Sequence, residues 1–166
     1  IGVILFERNY VHPTQLHNLI TNIHTLRNAA NQPRLMICVD QEGGDVQRLQ
    51  QAFTTLPAAK QFGTLYNTHP EKALHIARQS GWVTAIELLT YGIDFNIGPV
   101  LDLDRGNVRL AEQQRCLHSE PAAVTAIAQA YIDGMNHAGM AVIGKHFPGH
   151  GVVNADSHFE LPIHSG

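Results

Sequence analysis

The sequence predicts an α/β fold in which short parallel strands alternate with helices. Short apolar runs are separated by longer segments whose apolar residues recur at helical spacing. The apolar runs are continuous rather than alternating, which is typical of strands with both sheet faces buried. Polar residues follow each run directly. Strands linked by helical crossovers indicate a parallel sheet.

The first half of this pattern begins with an apolar run at residues 2–6, which predicts a strand. Pro13 suits the first turn of a helix, and apolar residues at helical spacing extend that helix over 13–30. The second strand is predicted at 35–39. A long connection containing Gly and Gln then runs to about residue 68.

The next predicted element is a long helix over about 70–91. Thr68 and Glu71 have the spacing of a capping box, which predicts the start of this helix. Gly92 is suited to the left-handed position that follows a helix end.

The remaining elements repeat the alternation. A strand is predicted at 93–97, with an extension through residues 98–100. The residues Ser119-Glu120-Pro121 predict the start of a helix that Gly139 ends. The last strand is predicted at 140–143.

The composition limits the class of protein. The 166 residues are 44% hydrophobic with a net charge of −3, which fits one folded domain without an internal boundary over 1–166. The absence of a Lys/Arg cluster argues against a nucleic-acid partner, and the absence of a long apolar run argues against a membrane-spanning helix. Two cysteines are too few for a disulfide framework, and Cys38, within an apolar strand, is expected to be a buried free thiol.

Polar residues collect where the predicted strands end. In parallel α/β folds these ends lie on one face, where sites are built. Exposed strand ends also collect polar residues without any function, but four such clusters together favour a site. The clusters are Glu7-Arg8-Asn9, Asp40-Gln41-Glu42, Asp102 with Asp104, and Lys145-His146.

The segment 145–158 is the richest in chemically active side chains, and three interpretations of it stay open. His146, His150 and His158 are possible metal ligands, but Pro148 and the glycines exclude the helix on which such spacing binds zinc. His158 can act as a general acid/base with Asp156 holding its imidazole. The histidines can also simply bond to loop backbone.

The residues Lys145-His146-Phe147-Pro148-Gly149-His150-Gly151, followed by Asp156-Ser157-His158, resemble the signature of glycoside hydrolase family 3. The similarity is strongest to its bacterial single-domain β-N-acetylglucosaminidases. Further similar segments follow in the family's order. They are Ile4–Phe6 with Arg8–Tyr10, Val39–Gly44, Val46–Arg48, Leu56–Ala59 and Gly98–Asp102.

The resemblance implies a (β/α)₈ TIM barrel of which this chain covers roughly strands 2–5. It also implies retaining hydrolysis through a covalent glycosyl-enzyme. The family's nucleophile is an Asp well C-terminal to the Asp-Ser-His motif, beyond the end of this chain. With a start at Ile1 inside an apolar run, the chain is expected to be a barrel fragment that is inactive alone.

The resemblance also assigns residue roles. His158 is implied as the general acid/base, with Asp156 as its partner, and no metal or cofactor is implied. Arg115 is a weaker match, because Gln113-Gln114-Arg115-Cys116 stands where the family usually has Gly-Glu-Arg-Ser. The implied substrate-binding residues are Asp40, Arg48, Arg115, Lys145 and His146.

The implied substrate is a sugar or muropeptide that ends in β-linked N-acetylglucosamine, with peptidoglycan recycling in the cytoplasm as the setting. Two alternatives stay open. One is a family 3 β-glucosidase, which usually lacks the Asp-Ser-His loop. The other is a non-catalytic sugar-binding fragment, since the chain carries pocket residues without a nucleophile.

Overall fold

The computed structural model describes residues 2–155 and 157–163, which form a parallel sheet with helices against one face. The strands are β1 (Gly2–Leu5), β2 (Met36–Val39), β3 (Gln41–Gly43), β4 (Val46–Gln47), β5 (Phe95–Val100) and β6 (Ala141–Lys145). Four of them form the sheet in the spatial order β1-β2-β5-β6, and β3 and β4 form a separate antiparallel pair.

The helices follow from apolar spacing and from proline at their first positions. Three of them begin at a proline, whose missing N–H has no intrahelical partner at that point. The helices are α1 (Pro13–Ala29), α2 (Ala59–Tyr66), α3 (Pro70–Thr90), α4 (Val108–Glu112) and α5 (Pro121–His137), and a short 3₁₀ turn covers Glu7–Asn9. None of these helices combines the length and apolarity that a membrane crossing requires.

The predicted strand–helix alternation and the TIM-barrel-like α/β class are confirmed. The connection between β2 and α3 is more structured than expected, because it contains the β3–β4 hairpin and α2. The capping box of Thr68 and Glu71 is wrong. His69 is the N-cap and makes no side-chain cap, while the Thr68 hydroxyl donates to the carbonyl of Leu65.

The expectation that both sheet faces are buried holds for one face only. Ile37 and Val39 point into the core between sheet and helices and are fully buried. Alternate residues project to the opposite face. There Ile4, Met36 and Ile143 are 47%, 50% and 45% exposed, because no described residue forms a layer over them. Cys38 is nevertheless buried and free, as predicted.

The helices α3 and α5 approach so closely that glycine is required at their contact. A Cβ on Gly134 would lie 1.9 Å from the carbonyl oxygen of Arg78, and one on Gly81 would lie 2.1 Å from that of Tyr131. The two helices therefore pack backbone against backbone, which holds Tyr131 and Met135 in the core.

We expect Gly134→Ala to destabilise the protein, although glycine to alanine normally stabilises a helix. The added methyl group meets rigid backbone, so the free energy of unfolding should fall by about 2 kcal/mol, as for an overpacked core. Thermal or denaturant unfolding measures this. Asn136→Ala on the exposed side of α5 is the control, and equal stability of the two variants would contradict the proposed contact.

Candidate functional site

The carboxyl ends of β2, β5 and β6 bring charged side chains to one edge of the sheet. Asp40 follows β2 directly, Asp102 comes two residues after β5, and Lys145 ends β6. The parallel register pairs Val100 with Lys145, so β5 and β6 end level, whereas β2 ends at Val39 opposite Asn96, near the start of β5. Residues far apart in sequence thus become neighbours, as expected for this class of sheet.

Buried amide side chains fix the backbone that carries the acidic residues. The Asn96 side chain accepts from the N–H of Gln41 and donates to its carbonyl, at 2.9 Å each. The Gln41 side chain in turn makes both hydrogen bonds to the backbone of Leu49. Because these buried amides are satisfied, they lock the start of the β3–β4 hairpin onto β5.

Lys145 lies between two carboxylates. Its Nζ is 2.5 Å from Oδ1 of Asp40 and 2.5 Å from Oε1 of Glu42. The Lys145 side chain is only 12% exposed. An ammonium group so withdrawn from water requires charged partners, and it has two.

Arg115 completes this network through a two-pronged pair with Glu42. Its Nε and Nη2 donate to Oε2 and Oε1 of Glu42, at 2.8 Å each. Burial by itself would lower the pKa of the Arg115 guanidinium. The hydrogen bonds and negative charge of Glu42, with the more distant charges of Asp40 and Asp102, outweigh burial and raise that pKa. The guanidinium is therefore held charged and in one plane.

A second cluster forms around Asp102, whose side chain is 1% exposed. Its Oδ2 lies 2.5 Å from Nδ1 of His146, and its Oδ1 accepts from the N–H of His150 at 2.5 Å. Burial would raise the pKa of the Asp102 carboxyl, but these hydrogen bonds and the charge of His146 lower it. Asp102 thus orients the His146 ring and holds the turn that leads to His150.

Arg48 directly follows the β3–β4 hairpin. The ladder pairs Gln41 with Gln47, and Asp40 and Arg48 are the residues that flank this pair in sequence. The Nε of Arg48 is buried and has no hydrogen-bond partner among the described residues. A buried donor of this kind favours a ligand that supplies an acceptor.

Of the predicted acid/base pair, the structure describes only His158. His158 is exposed and its ring lies 6.5 Å from that of Phe159. Asp156 lies outside the described residues. Within the first strand-end cluster, Arg8 stacks on Phe6 instead of joining the network. Across 2–155 and 157–163, no group of three or more His, Cys, Asp or Glu side chains is arranged to hold a metal ion.

Two residues of the site were missed as individual candidates. Glu42 bridges Lys145 and Arg115, and Asp102 anchors His146. Both stand in the strand-end clusters, so their position was the available signal. A loop has no periodic pattern of apolar residues, so its sequence does not show which of several neighbouring carboxylates turns into the protein.

The arrangement can bind a ligand rich in hydroxyl groups. It presents carboxylate acceptors beside ammonium and guanidinium donors, and charge-assisted hydrogen bonds are among the strongest available. Lys145 and Arg115 together balance the charges of Asp40 and Glu42. A cluster with no net charge suits a neutral polyol better than an anion.

Comparison with known proteins supports this interpretation. A family model described as the glycosyl hydrolase family 3 N-terminal domain matches residues 1–166. A curated relative named beta-hexosaminidase from Alkalilimnicola ehrlichii is 50% identical over 161 residues, which are 97% of this chain and 45% of that protein. One of the same name from Thiobacillus denitrificans is 49% identical over 162 residues, 98% of this chain and 44% of that protein. The chain therefore spans less than half the length of these relatives.

Solved structures agree with the sequence comparison. NagZ from Neisseria gonorrhoeae in complex with N-trifluoroacetyl-D-glucosamine is 44% identical, with a TM-score of 0.88 over 97% of this chain and 46% of that one. A glycoside hydrolase family 3 β-N-acetylglucosaminidase from Paenibacillus sp. str. FPU-7 is 29% identical, with a TM-score of 0.84 over 97% of this chain and 30% of that one.

We expect Asp102→Asn to lower the free energy of unfolding by about 2 kcal/mol near neutral pH, because a buried, multiply bonded carboxylate is lost. The pKa of Asp102 is lower in the folded state than its ordinary value of 3.8. Its stabilisation is therefore fully present above that value and is lost as the pH falls through the folded pKa. Urea unfolding across the acid range measures the difference between variant and native protein.

The control for this measurement is Asp133→Asn, which removes a half-exposed partner of Arg78. Such a surface pair should contribute less than about 1 kcal/mol. A difference for Asp102→Asn that stays constant down to the lowest pH would contradict the role of the ionised carboxylate.

Proposed function

The chain belongs to glycosyl hydrolase family 3, and from this we propose that the protein carrying it removes terminal β-linked N-acetylglucosamine from glycans with retention of configuration. The observation that carries the proposal is the buried network of Asp40, Glu42, Arg115 and Lys145 at the carboxyl ends of the strands. Relatives named beta-hexosaminidase and a NagZ structure with an N-acylated glucosamine support the same substrate class.

In this proposal the network binds the sugar rather than breaking its bond. Asp40 and Lys145 form charge-assisted hydrogen bonds with ring hydroxyls, and Arg115 adds planar donors. Arg48 supplies the buried Nε that lacks a protein partner. His146, oriented by Asp102, completes the pocket. Each hydroxyl of the bound ring then exchanges water for a fixed charged partner.

Bond cleavage is proposed to depend on His158 and Asp156. A retaining enzyme must first protonate the leaving oxygen and then deprotonate water. Histidine has an ordinary pKa near 6.5, so one side chain can perform both steps near neutral pH. Asp156 is proposed to stabilise the imidazolium and fix its tautomer. The nucleophile is proposed to be an Asp outside residues 1–166.

The natural substrate is proposed to be a muropeptide, with the enzyme acting in peptidoglycan recycling in the cytoplasm. Support for the setting comes from the two cysteines, which are both free and buried, as is usual in reducing compartments. Residues 1–166 are proposed to form one continuous part of a (β/α)₈ catalytic domain. A purified muropeptide digested by the enzyme, with the released sugar identified by mass spectrometry, tests the substrate.

We expect the full enzyme to hydrolyse nitrophenyl β-N-acetylglucosaminide much faster than nitrophenyl β-glucoside. In this proposal the pocket holds the N-acetylated sugar, and losing one buried polar contact to the acetamide costs about tenfold in rate. Initial rates on the two substrates at equal concentration measure this preference. A preference for the glucoside would indicate a β-glucosidase, and binding of N-acetylglucosamine without any turnover would indicate a sugar-binding protein.

We expect His158→Ala in the full enzyme to slow turnover by about 100-fold or more on substrates with poor leaving groups. Substrates with very good leaving groups need no acid and should lose much less rate in the glycosylation step. A series of aryl glycosides measures this dependence, and His69→Ala, an exposed histidine remote from the network, serves as the control. An equal loss across the series would exclude the acid/base role.

A further inference from the structure

Glu42 is the most buried of the four charged side chains in the network. Its side chain is 6% exposed, against 12% for Lys145, 16% for Arg115 and 18% for Asp40. The proposed function assigns Glu42 no direct contact with the sugar. Its burial and its partners therefore require a separate explanation.

The two carboxylates of the network are used differently. Both oxygens of Glu42 have partners: Oε1 forms an ion pair with Lys145 and accepts from Arg115, and Oε2 also accepts from Arg115. Asp40 meets Lys145 through Oδ1, and its Oδ2 accepts no hydrogen bond from the described residues. Asp40 thus keeps an oxygen for a ligand, whereas both oxygens of Glu42 already have protein partners.

We propose that Glu42 is a positioning residue that sets the charge selectivity of the site. It holds Lys145 and Arg115 in place and cancels their excess charge, so that the pocket accepts a neutral sugar and rejects anions. This inference rests on the proposed function for the identity of the ligand as a saccharide.

The surroundings of Glu42 leave no other group to perform this role. Asp102 also acts electrostatically on Arg115, but His146 and His150 already occupy both of its oxygens. Behind Glu42 and Arg115 lies a small cavity with apolar walls that include Phe62, and its Tyr131 stays neutral because burial raises the pKa of that phenol to about 12. Asp40 alone would then face two cations.

Two cations that share a single carboxylate carry one uncompensated positive charge, which favours the binding of an oxyanion. Arginine and lysine bind sulfate and phosphate through the same charge-assisted hydrogen bonds that they now make to Glu42. Replacing Glu42 by its neutral isostere should therefore create anion binding, a gain that a merely structural defect would not produce.

The test uses the full enzyme with Glu42→Gln, Glu42→Asp and, as the matched charge control, Glu87→Gln. Glu87 also accepts hydrogen bonds, from the Thr54 N–H and hydroxyl, but lies on α3 away from the network. Calorimetry measures the affinity for N-acetylglucosamine with and without sodium sulfate, and the affinity for sulfate alone. Thermal unfolding verifies that each variant is folded.

Glu42→Gln should weaken N-acetylglucosamine binding by about tenfold or more and should bind sulfate in competition with the sugar. Glu42→Asp keeps the charge but is too short to reach both cations, so it should weaken sugar binding without gaining sulfate binding. Neither the native enzyme nor Glu87→Gln should bind sulfate. Sulfate competition in the native enzyme, or a folded Glu42→Gln that gains no sulfate binding, would overturn the inference.

If Glu42→Gln does not fold, the native enzyme and Glu42→Asp decide the outcome. Unchanged sugar affinity in Glu42→Asp would then overturn the inference. The sulfate measurements need no turnover, so they remain decisive if hydrolysis of N-acetylglucosaminides is absent. Missing hydrolysis with the expected sulfate pattern would reject the proposed function and leave the role of Glu42 intact.

Discussion

The burial of two cations against two carboxylates is the constraint on which this site depends. Removing one such ion from water costs several kcal/mol, and only well-placed partners offset that cost. Asp40 and Glu42 come from the segment after β2, Lys145 from β6, and Arg115 from the loop after α4. The charges of the network are therefore paired only when all three segments have folded into place. The site thus depends on the correct arrangement of the sheet.

Buried amide side chains hold the backbone segments that carry this network. The β3–β4 hairpin is too short to be stable through its own backbone hydrogen bonds, since β4 has only two residues. Gln47 accepts from the N–H of Leu56 and donates to the carbonyls of Leu49 and Thr54. With Gln41 and Asn96, it replaces the ladder of hydrogen bonds that longer strands would supply. A mobile hairpin would leave Glu42 without a fixed position.

The sequence predicted the elements whose apolar residues follow a regular pattern. It did not predict the features that depend on contacts between residues far apart in the chain. The four strands of the parallel sheet were predicted from continuous apolar runs, and the helices α1, α3 and α5 from apolar residues that recur at helical spacing. The hairpin escaped notice because a strand of two or three residues has no period. The spacing of Thr68 and Glu71 suggested a cap, yet His69 begins the helix, since Pro70 sets the first turn.

Within the site, sequence reasoning located the strand ends but not the direction of their side chains. Asp40, Arg115 and Lys145 meet in the structure, while the pattern Asp40-Gln41-Glu42 gave no indication that Glu42 is the most buried of them. That outcome depends on Arg115, which is 73 residues away in sequence. Only a folded structure reveals such a pairing.

The apolar layer behind the network determines the side from which a ligand approaches. A cavity of about 20 Å³ lies behind Glu42 and Arg115, with Phe62, Leu117 and Ile127 among its walls. Low polarity on that side strengthens each ion pair and offers no competing partner for its donors. Asp40 and Arg48 flank the Gln41–Gln47 pair of the hairpin, and among the described residues neither Oδ2 of Asp40 nor Nε of Arg48 has a hydrogen-bond partner. The second oxygen of Asp40 is therefore left for a bound ligand or for water, which is why a sugar with several hydroxyls fits a site of this construction.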